Sequence, residues 1–163
     1  MAKFTLTSPD FADGATIPNA QVFNGMGLNG GNTSPALAWS GAPAGTQSFA
    51  LMVHDPDAPT GSGWWHWVVY NLPASTGSLP AGAGNPQKKL LPEGAIQGRT
   101  DFGSVGYGGP APPPGPPHHY QFRLHALKVA KLNVPADATA AMIGFNVWAQ
   151  QLGVAQLTGM YGL

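Results

Sequence analysis

The chain has 163 residues, enough to bury a sizeable core, and is expected to fold as one domain over residues 1–163. Its formal net charge is zero and only 9% of residues are charged, against a usual share of roughly 25%. That argues against nucleic acid or an anionic membrane as partners recruited by bulk electrostatics. There is no cysteine, which removes disulfide frameworks and thiolate chemistry.

Residues 4–7 alternate apolar and polar and predict a first edge strand. Residues 8–34, rich in Gly, Asn, Pro and Asp, predict turns around short extended pieces, notably 21–23. A short strand is expected at 37–39, a turn at 42–46 and a strand at 48–54. The next strand is expected at 65–71, where a period of two puts His66 on the face of Val68 and Tyr70 and leaves Trp65, Trp67 and Val69 opposite. Residues 72–94 read as a long surface loop with a short strand at 89–91, and Lys88 and Lys89 as part of a solvated face. Residues 120–126 alternate clearly, with Tyr120, Phe122, Leu124 and Ala126 inward and His125 on the polar face. One helix is predicted over 136–152, started by Pro135 and stopped by Gly153. Its stripe of Ala141, Phe145, Trp148 and Leu152 is expected to pack on the sheet. A last strand follows at 155–161.

Glycine and proline number 23 and 17, which in a chain with 43% hydrophobic residues reads as the turns of a β-rich fold rather than disorder. Strands at regular spacing with one late helix predict a mainly β, sandwich-like architecture. The first residues lack the apolar core of a signal peptide, and no apolar run approaches the roughly 18 residues of a membrane span. A cytoplasmic location without membrane span is therefore the expectation. A nearly uncharged surface offers little self-repulsion, so a homodimer, burying Trp64 or Trp65, is one expected assembly.

Two stretches carry the chemistry. Residues 55–71 join two apolar strands through two carboxylates, Asp55 and Asp57, two prolines, Pro56 and Pro59, and the Trp64-Trp65-His66-Trp67 run. Pro56 and Pro59 stiffen the backbone where the carboxylates sit, and Gly61 and Gly63 permit a turn. Such a stiff acidic turn exceeds what a strand connection requires, and it reads as half of a ligand pocket. The other half is 110–120, Pro-Ala-Pro-Pro-Pro-Gly-Pro-Pro-His-His-Tyr, extended by its prolines. On composition alone, Asp-Pro-Asp-Ala-Pro also reads as a capped turn with both carboxylates on backbone N–H groups. The five histidines show no metal-ligand spacing, and His118 and His119 point apart on an extended segment, so no metal site is expected. Nucleophile-elbow, phosphate-loop and dinucleotide fingerprints are missing, and no cofactor is expected.

The Asp55-Pro56-Asp57-Ala58-Pro59 run, the following Trp-His-Trp-Val-Val-Tyr-Asn, and the later Pro-Pro-x-Gly…His-x-Tyr resemble the two signature regions of the phosphatidylethanolamine-binding protein (PEBP) family, which includes the Raf kinase inhibitor protein. The likeness is greatest to its short bacterial YbhB/YbcL branch. Residues 22–27, 34–39, 99–103 and 157–161 fit as well, so the resemblance runs through nearly the whole chain.

The resemblance implies an antiparallel β-sandwich, a large sheet packed on a smaller one, with one main C-terminal helix, short peripheral helices and a pocket at one end. It implies a small anionic or phosphorylated ligand bound by Asp55, His66, His118 and Tyr120, in a pocket shaped by Asp57, Pro59, Trp64, Ala111, Pro112 and Pro113. It also implies a regulatory protein partner. Relatives commonly carry arginine directly after the second-signature histidine; His119 stands there instead, which removes a permanently charged bidentate donor. Asp55 is expected to hydrogen-bond a ligand-facing donor such as His66 or a backbone N–H. His66 and His118 are then the donors to the anion, with affinity rising as pH falls through the histidine range. Rigid pocket turns suggest cis bonds at Pro59 and Pro113. The alternative is an enzyme, in which Asp55 or Asp57 with His66 acts as general base and acid in isomerisation or condensation of a small organic substrate.

Overall fold

The computed structural model describes residues 3–163. In chain order it contains β1 (Thr5–Thr7), a 3-10 turn at Asn19–Gln21, β2 (Asn24–Gly25), β3 (Leu28–Asn29), β4 (Leu37–Ser40), β5 (Ser48–Asp55) and β6 (Trp64–Pro73). Then come β7 (Ser78–Leu79), β8 (Ile96–Gln97), β9 (His118–Leu127), helix α1 (Ala140–Gln150) and β10 (Gln151–Tyr161). The strands form a five-stranded sheet in the order β10-β9-β5-β6-β8, a three-stranded sheet β1-β4-β7 and the small ribbon β2-β3, all antiparallel. No helix among the described residues is long and apolar enough to cross a membrane.

The layers follow from which strand faces are apolar. β5 is central and buried on both sides, so it reads as a continuous apolar run rather than an alternation. Its Phe49, Leu51 and Val53 meet Leu6, Leu37, Trp39 and Leu79 of the small sheet. Its Ala50 and Met52 meet Ile143 and Val147 of α1 across the other face. The small sheet, the large sheet and α1 thus stack as three layers around two cores.

Local sequence rules mislead at several places. Trp65 pairs with His54 and Trp67 with Val53, so a β-bulge at His66 reverses the alternation. His66 therefore faces the inner layer beside Val53, Tyr120 and Phe122, not the face of Val68 and Tyr70, and Trp65 packs on the outer core instead. The helix starts at Thr139, whose hydroxyl accepts the Met142 N–H, and not at Pro135. Its buried stripe is Ala140, Ile143 and Val147; Phe145 and Trp148 are 68% and 72% exposed. Because α1 is apolar nearly all round, two stripes satisfy helical spacing, and only packing chooses between them. Gly153 does not stop the helix: the chain passes from Gln150 directly into β10, and Gly153 sits at a register shift against β9. Finally, residues 89–91 form no strand, since Lys89 takes φ 52°; β7 and β8 supply the short strands of this region. Every peptide bond among the described residues is trans, Pro59 and Pro113 included.

Candidate functional site

β5 ends at Asp55 and β9, its neighbour in the sheet, begins at His118. Adjacent strand ends thus place a carboxylate and an imidazole side by side. Asp55, 3% exposed, accepts a hydrogen bond on Oδ2 from His118 Nδ1 (2.7 Å) and on Oδ1 from the Asp57 N–H (2.8 Å). The partner of Asp55 is therefore His118 and a backbone N–H, not His66. The tight turn after Asp55 depends on Gly63, at φ 70°, where a Cβ would lie 2.5 Å from the Asp55 carbonyl oxygen.

His66 is 4% exposed and donates from Nδ1 to the Gly108 carbonyl (2.7 Å). Burial pushes its pKa down to about 4, against the opposing pull of the Gly108 carbonyl and the Asp55 charge. At neutral pH its single proton is committed to Gly108, and Nε2 is left as a hydrogen-bond acceptor. This corrects the expectation that a protonated His66 donates to an anion. Tyr120, 1% exposed, has a hydroxyl without a hydrogen-bond partner. Burial, then the negative charge of Asp55 and a loose hydrogen-bonding contact with that carboxylate, raise its pKa and keep it a neutral donor. The Trp64 Nε1–H is likewise buried and unpartnered.

These groups border one cavity of about 190 Å³. Asp55, Pro59, Trp64, His66, Ala111, Pro112, Pro113, His118 and Tyr120 all line it. Asp57 does not: its carboxylate turns outward and accepts the backbone N–H and the ring Nδ1 of His119, both at 2.7 Å. His119 thus takes the outer side of β9 while His118 takes the inner side, as alternation along a strand requires.

Four lining residues escaped sequence reasoning: Met26, Ala58, Thr60 and Phe102. Ala58 and Thr60 belong to the same acidic turn, where Thr60 Oγ1 donates to the Gly63 carbonyl. Phe102 stacks on Phe23 (4.6 Å between ring centroids) and meets Trp64 and His66 edge-on at 5.4 and 5.5 Å. Its loop is fixed by Asp101, whose carboxylate accepts the Trp65 N–H. Met26, with φ 53° and 73% exposed, stands at the rim. Both Met26 and Phe102 lie within the two outlying motifs, residues 22–27 and 99–103, and that was the available signal. No group of three or more His, Cys, Asp or Glu side chains among the described residues is placed to hold a metal ion.

The fold and sequence match known proteins over nearly their full length. The phosphatidylethanolamine-binding protein family model matches residues 7–162. The chain is 50% identical to the UPF0098 protein YbcL of Escherichia coli, covering 98% of this chain and 88% of that protein. It is 53% identical to the E. coli UPF0098 protein YbhB, covering 96% and 98% respectively. The crystal structure of E. coli YbcL, described as a new member of the mammalian PEBP family, superposes with a TM-score of 0.96 at 49% identity, over 99% of each chain. The chain belongs to the phosphatidylethanolamine-binding protein family.

Proposed function

We propose that the cavity binds a small oxyanion, a carboxylate or phosphoryl group carrying at least one proton, and that the chain acts by binding rather than by turnover. The observation that carries this reading is the buried hydroxyl of Tyr120, a residue 1% exposed, which makes no hydrogen bond of ordinary geometry with the protein and only approaches the Asp55 carboxylate. Buried donors are rarely left unpaired, and leaving one so costs about 1–3 kcal/mol. A ligand oxygen would satisfy it, together with the Trp64 Nε1–H and the free Nε2 of His118 when that ring is protonated. Asp55 does not repel such a ligand outright, because its charge is directed at His118. The free Nε2 of His66 asks for a donor in return, which a protonated phosphate monoester or a carboxylic acid supplies. Binding of this kind at a rim containing the exposed Met26 is a means by which ligand occupancy could be read by a regulatory protein partner.

The test is an NMR titration with inorganic phosphate and with O-phosphorylethanolamine, comparing the wild type with Tyr120→Phe. Saturable shifts of His118, Tyr120 and Trp64 that weaken in the variant support the reading. Absence of saturable shifts with both ligands overturns it.

A second reading rests on the Asp55–His118 pair at 2.7 Å. A carboxylate that orients an imidazole with its other nitrogen free is the arrangement of a general base, and it would serve isomerisation or condensation of an uncharged carbonyl substrate. Turnover abolished by His118→Ala would favour it. Here Asp55 and His118, rather than His66, are the reacting pair, since the His66 proton is held by Gly108.

A further inference from the structure

Helix α1 covers only part of the outer face of the large sheet, and beside it runs a groove of about 520 Å³. Sheet register builds its floor in two rows. Met52, Arg123 and Gln156 lie in one row across β5, β9 and β10, and His125 and Val154 lie in the next. Alternation along β9 puts Arg123 and His125 on the face opposite His118 and Tyr120, so the groove and the cavity lie on opposite sides of the sheet. Ala141, Gly144 and Trp148, one stripe of α1 at helical spacing, form a wall, and Trp65 of β6 also borders the groove. Packing does not demand the glycine: a Cβ at Gly144 would make only ordinary contact with Met52, at 3.6 Å.

One permanent charge stands in this groove. Arg123 donates from Nε to the Gln156 side-chain carbonyl (2.8 Å), which orients the guanidinium. No carboxylate borders the groove, and the ion pairs among the described residues are both histidine–aspartate pairs. The edge of Arg123 formed by its two Nη groups therefore has no counter-charge. His125 donates from Nδ1 to the Gln151 side-chain carbonyl. Burial lowers its pKa, and the Arg123 charge adds to that effect, so the ring is neutral at neutral pH and supplies no second cation.

We propose that the groove is a second ligand site and takes a small aromatic monocarboxylate, its carboxylate on the Nη edge of Arg123 and its ring between the Trp148 indole and the floor at Met52 and Val154. A guanidinium edge matches a carboxylate with two parallel N–H···O bonds. The thioether of Met52 is a favourable neighbour for an aromatic ring. An aromatic-walled depression of several hundred Å³ with a few fixed polar groups is the usual build of a small-molecule site. Charge complementarity selects the anion: one uncompensated cation balances one carboxylate, whereas a phosphate monoester, with about −1.5 to −2 charge at neutral pH, leaves charge unmatched. A lipid surface fits less well, since no second lysine or arginine borders the groove.

The experiment titrates the full chain with indole-3-acetate and with its uncharged isostere indole-3-acetamide, followed by NMR at the Arg123 Nε–H and the Trp148 indole N–H. Wild type is compared with Arg123→Gln, Trp148→Ala and Tyr120→Phe. Saturable shifts with the acetate are expected at both reporters. Affinity is expected to be weaker by about tenfold or more for the acetamide, and for the acetate in Arg123→Gln and Trp148→Ala, but unchanged in Tyr120→Phe. Arg123 and Trp148 are both exposed, so their variants should fold, and circular dichroism checks this. Absence of saturable shifts in the groove overturns the proposal, as does equal binding of the acetamide. Binding that falls in Tyr120→Phe but not in Arg123→Gln overturns it by placing the carboxylate in the cavity. Groove shifts that follow protein concentration alone overturn it by placing a second copy there.

Discussion

The carboxylate of Asp57 accepts both the backbone N–H and the ring Nδ1–H of His119, each at 2.7 Å, and so ties the turn after β5 to the start of β9 just outside the cavity. The hydrogen bond from the His119 ring is the main reason the Asp57 carboxyl sits below its ordinary value of 3.8. A carboxylate held low in the folded state contributes stability above its unfolded pKa and loses that contribution as pH falls through the folded value. Both side chains are substantially exposed, 53% for His119 and 39% for Asp57, so solvent keeps the contribution small. Titration of the Asp57 carboxyl carbon by NMR should give a midpoint below 3.8 in the wild type and a rise toward it in His119→Ala. An unchanged midpoint would contradict the assignment.

His66 should dominate the acid side of the stability profile. Its pKa falls from an ordinary 6.5 to about 4 in the folded chain because burial disfavours the imidazolium. Across that window the unfolded chain holds a proton that the folded chain does not, so stability rises with pH and is lost on acidification. At about 1.4 kcal/mol per pH unit the loss sums to about 3 kcal/mol. Urea unfolding at a series of pH values measures it. His66→Asn retains a donor near the Nδ1 position for Gly108 but cannot titrate, so its profile should be flatter. Some slope should persist from His125, whose pKa burial also lowers.

Tyr120→Phe separates binding from folding. The hydroxyl makes no hydrogen bond of ordinary geometry and only approaches the Asp55 carboxylate, so its removal deletes a desolvated donor at the cost of one loose contact. Thermal unfolding should show no loss of stability, or a small gain. Under the oxyanion reading, phosphate affinity should fall roughly tenfold, the equivalent of one hydrogen bond of about 1.4 kcal/mol. A destabilised variant with unchanged affinity would reverse the assignment of this residue.

The two faces of α1 predict opposite responses. Ile143 is 1% exposed and packed against the outer face of the large sheet, so Ile143→Ala should cost about 2–5 kcal/mol. Thr139→Ala removes the helix cap seen at Met142 N and should cost about 1 kcal/mol. Phe145→Ala, on the exposed side, should change monomer stability by no more than about 0.5 kcal/mol. Denaturant unfolding at low protein concentration compares all three, and a large loss in Phe145→Ala would place that ring in the core after all.

Much of the fold is legible in one dimension because its signals are local. The alternation of Tyr120, Phe122, Leu124 and Ala126 marks one buried face of β9, and the continuous apolar run of β5 marks a strand covered on both sides. The proline-stiffened turns of residues 55–59 and 110–117 mark the segments that border the cavity, because their backbone is restricted wherever they fold. What the sequence could not specify depends on contacts between distant residues. A bulge opposite Val53 reversed the face of His66, and no periodicity within β6 reports a register set by β5. Which carboxylate pairs with which histidine was decided by the meeting of the β5 and β9 ends. That meeting turned Asp55 inward to His118 and Asp57 outward to His119. The buried stripe of α1 was decided by the sheet beneath it, since a helix apolar nearly all round offers more than one face at equal spacing. Only the three-dimensional packing exposed Phe145 and Trp148, because burial belongs to the assembled layers and not to any residue within them.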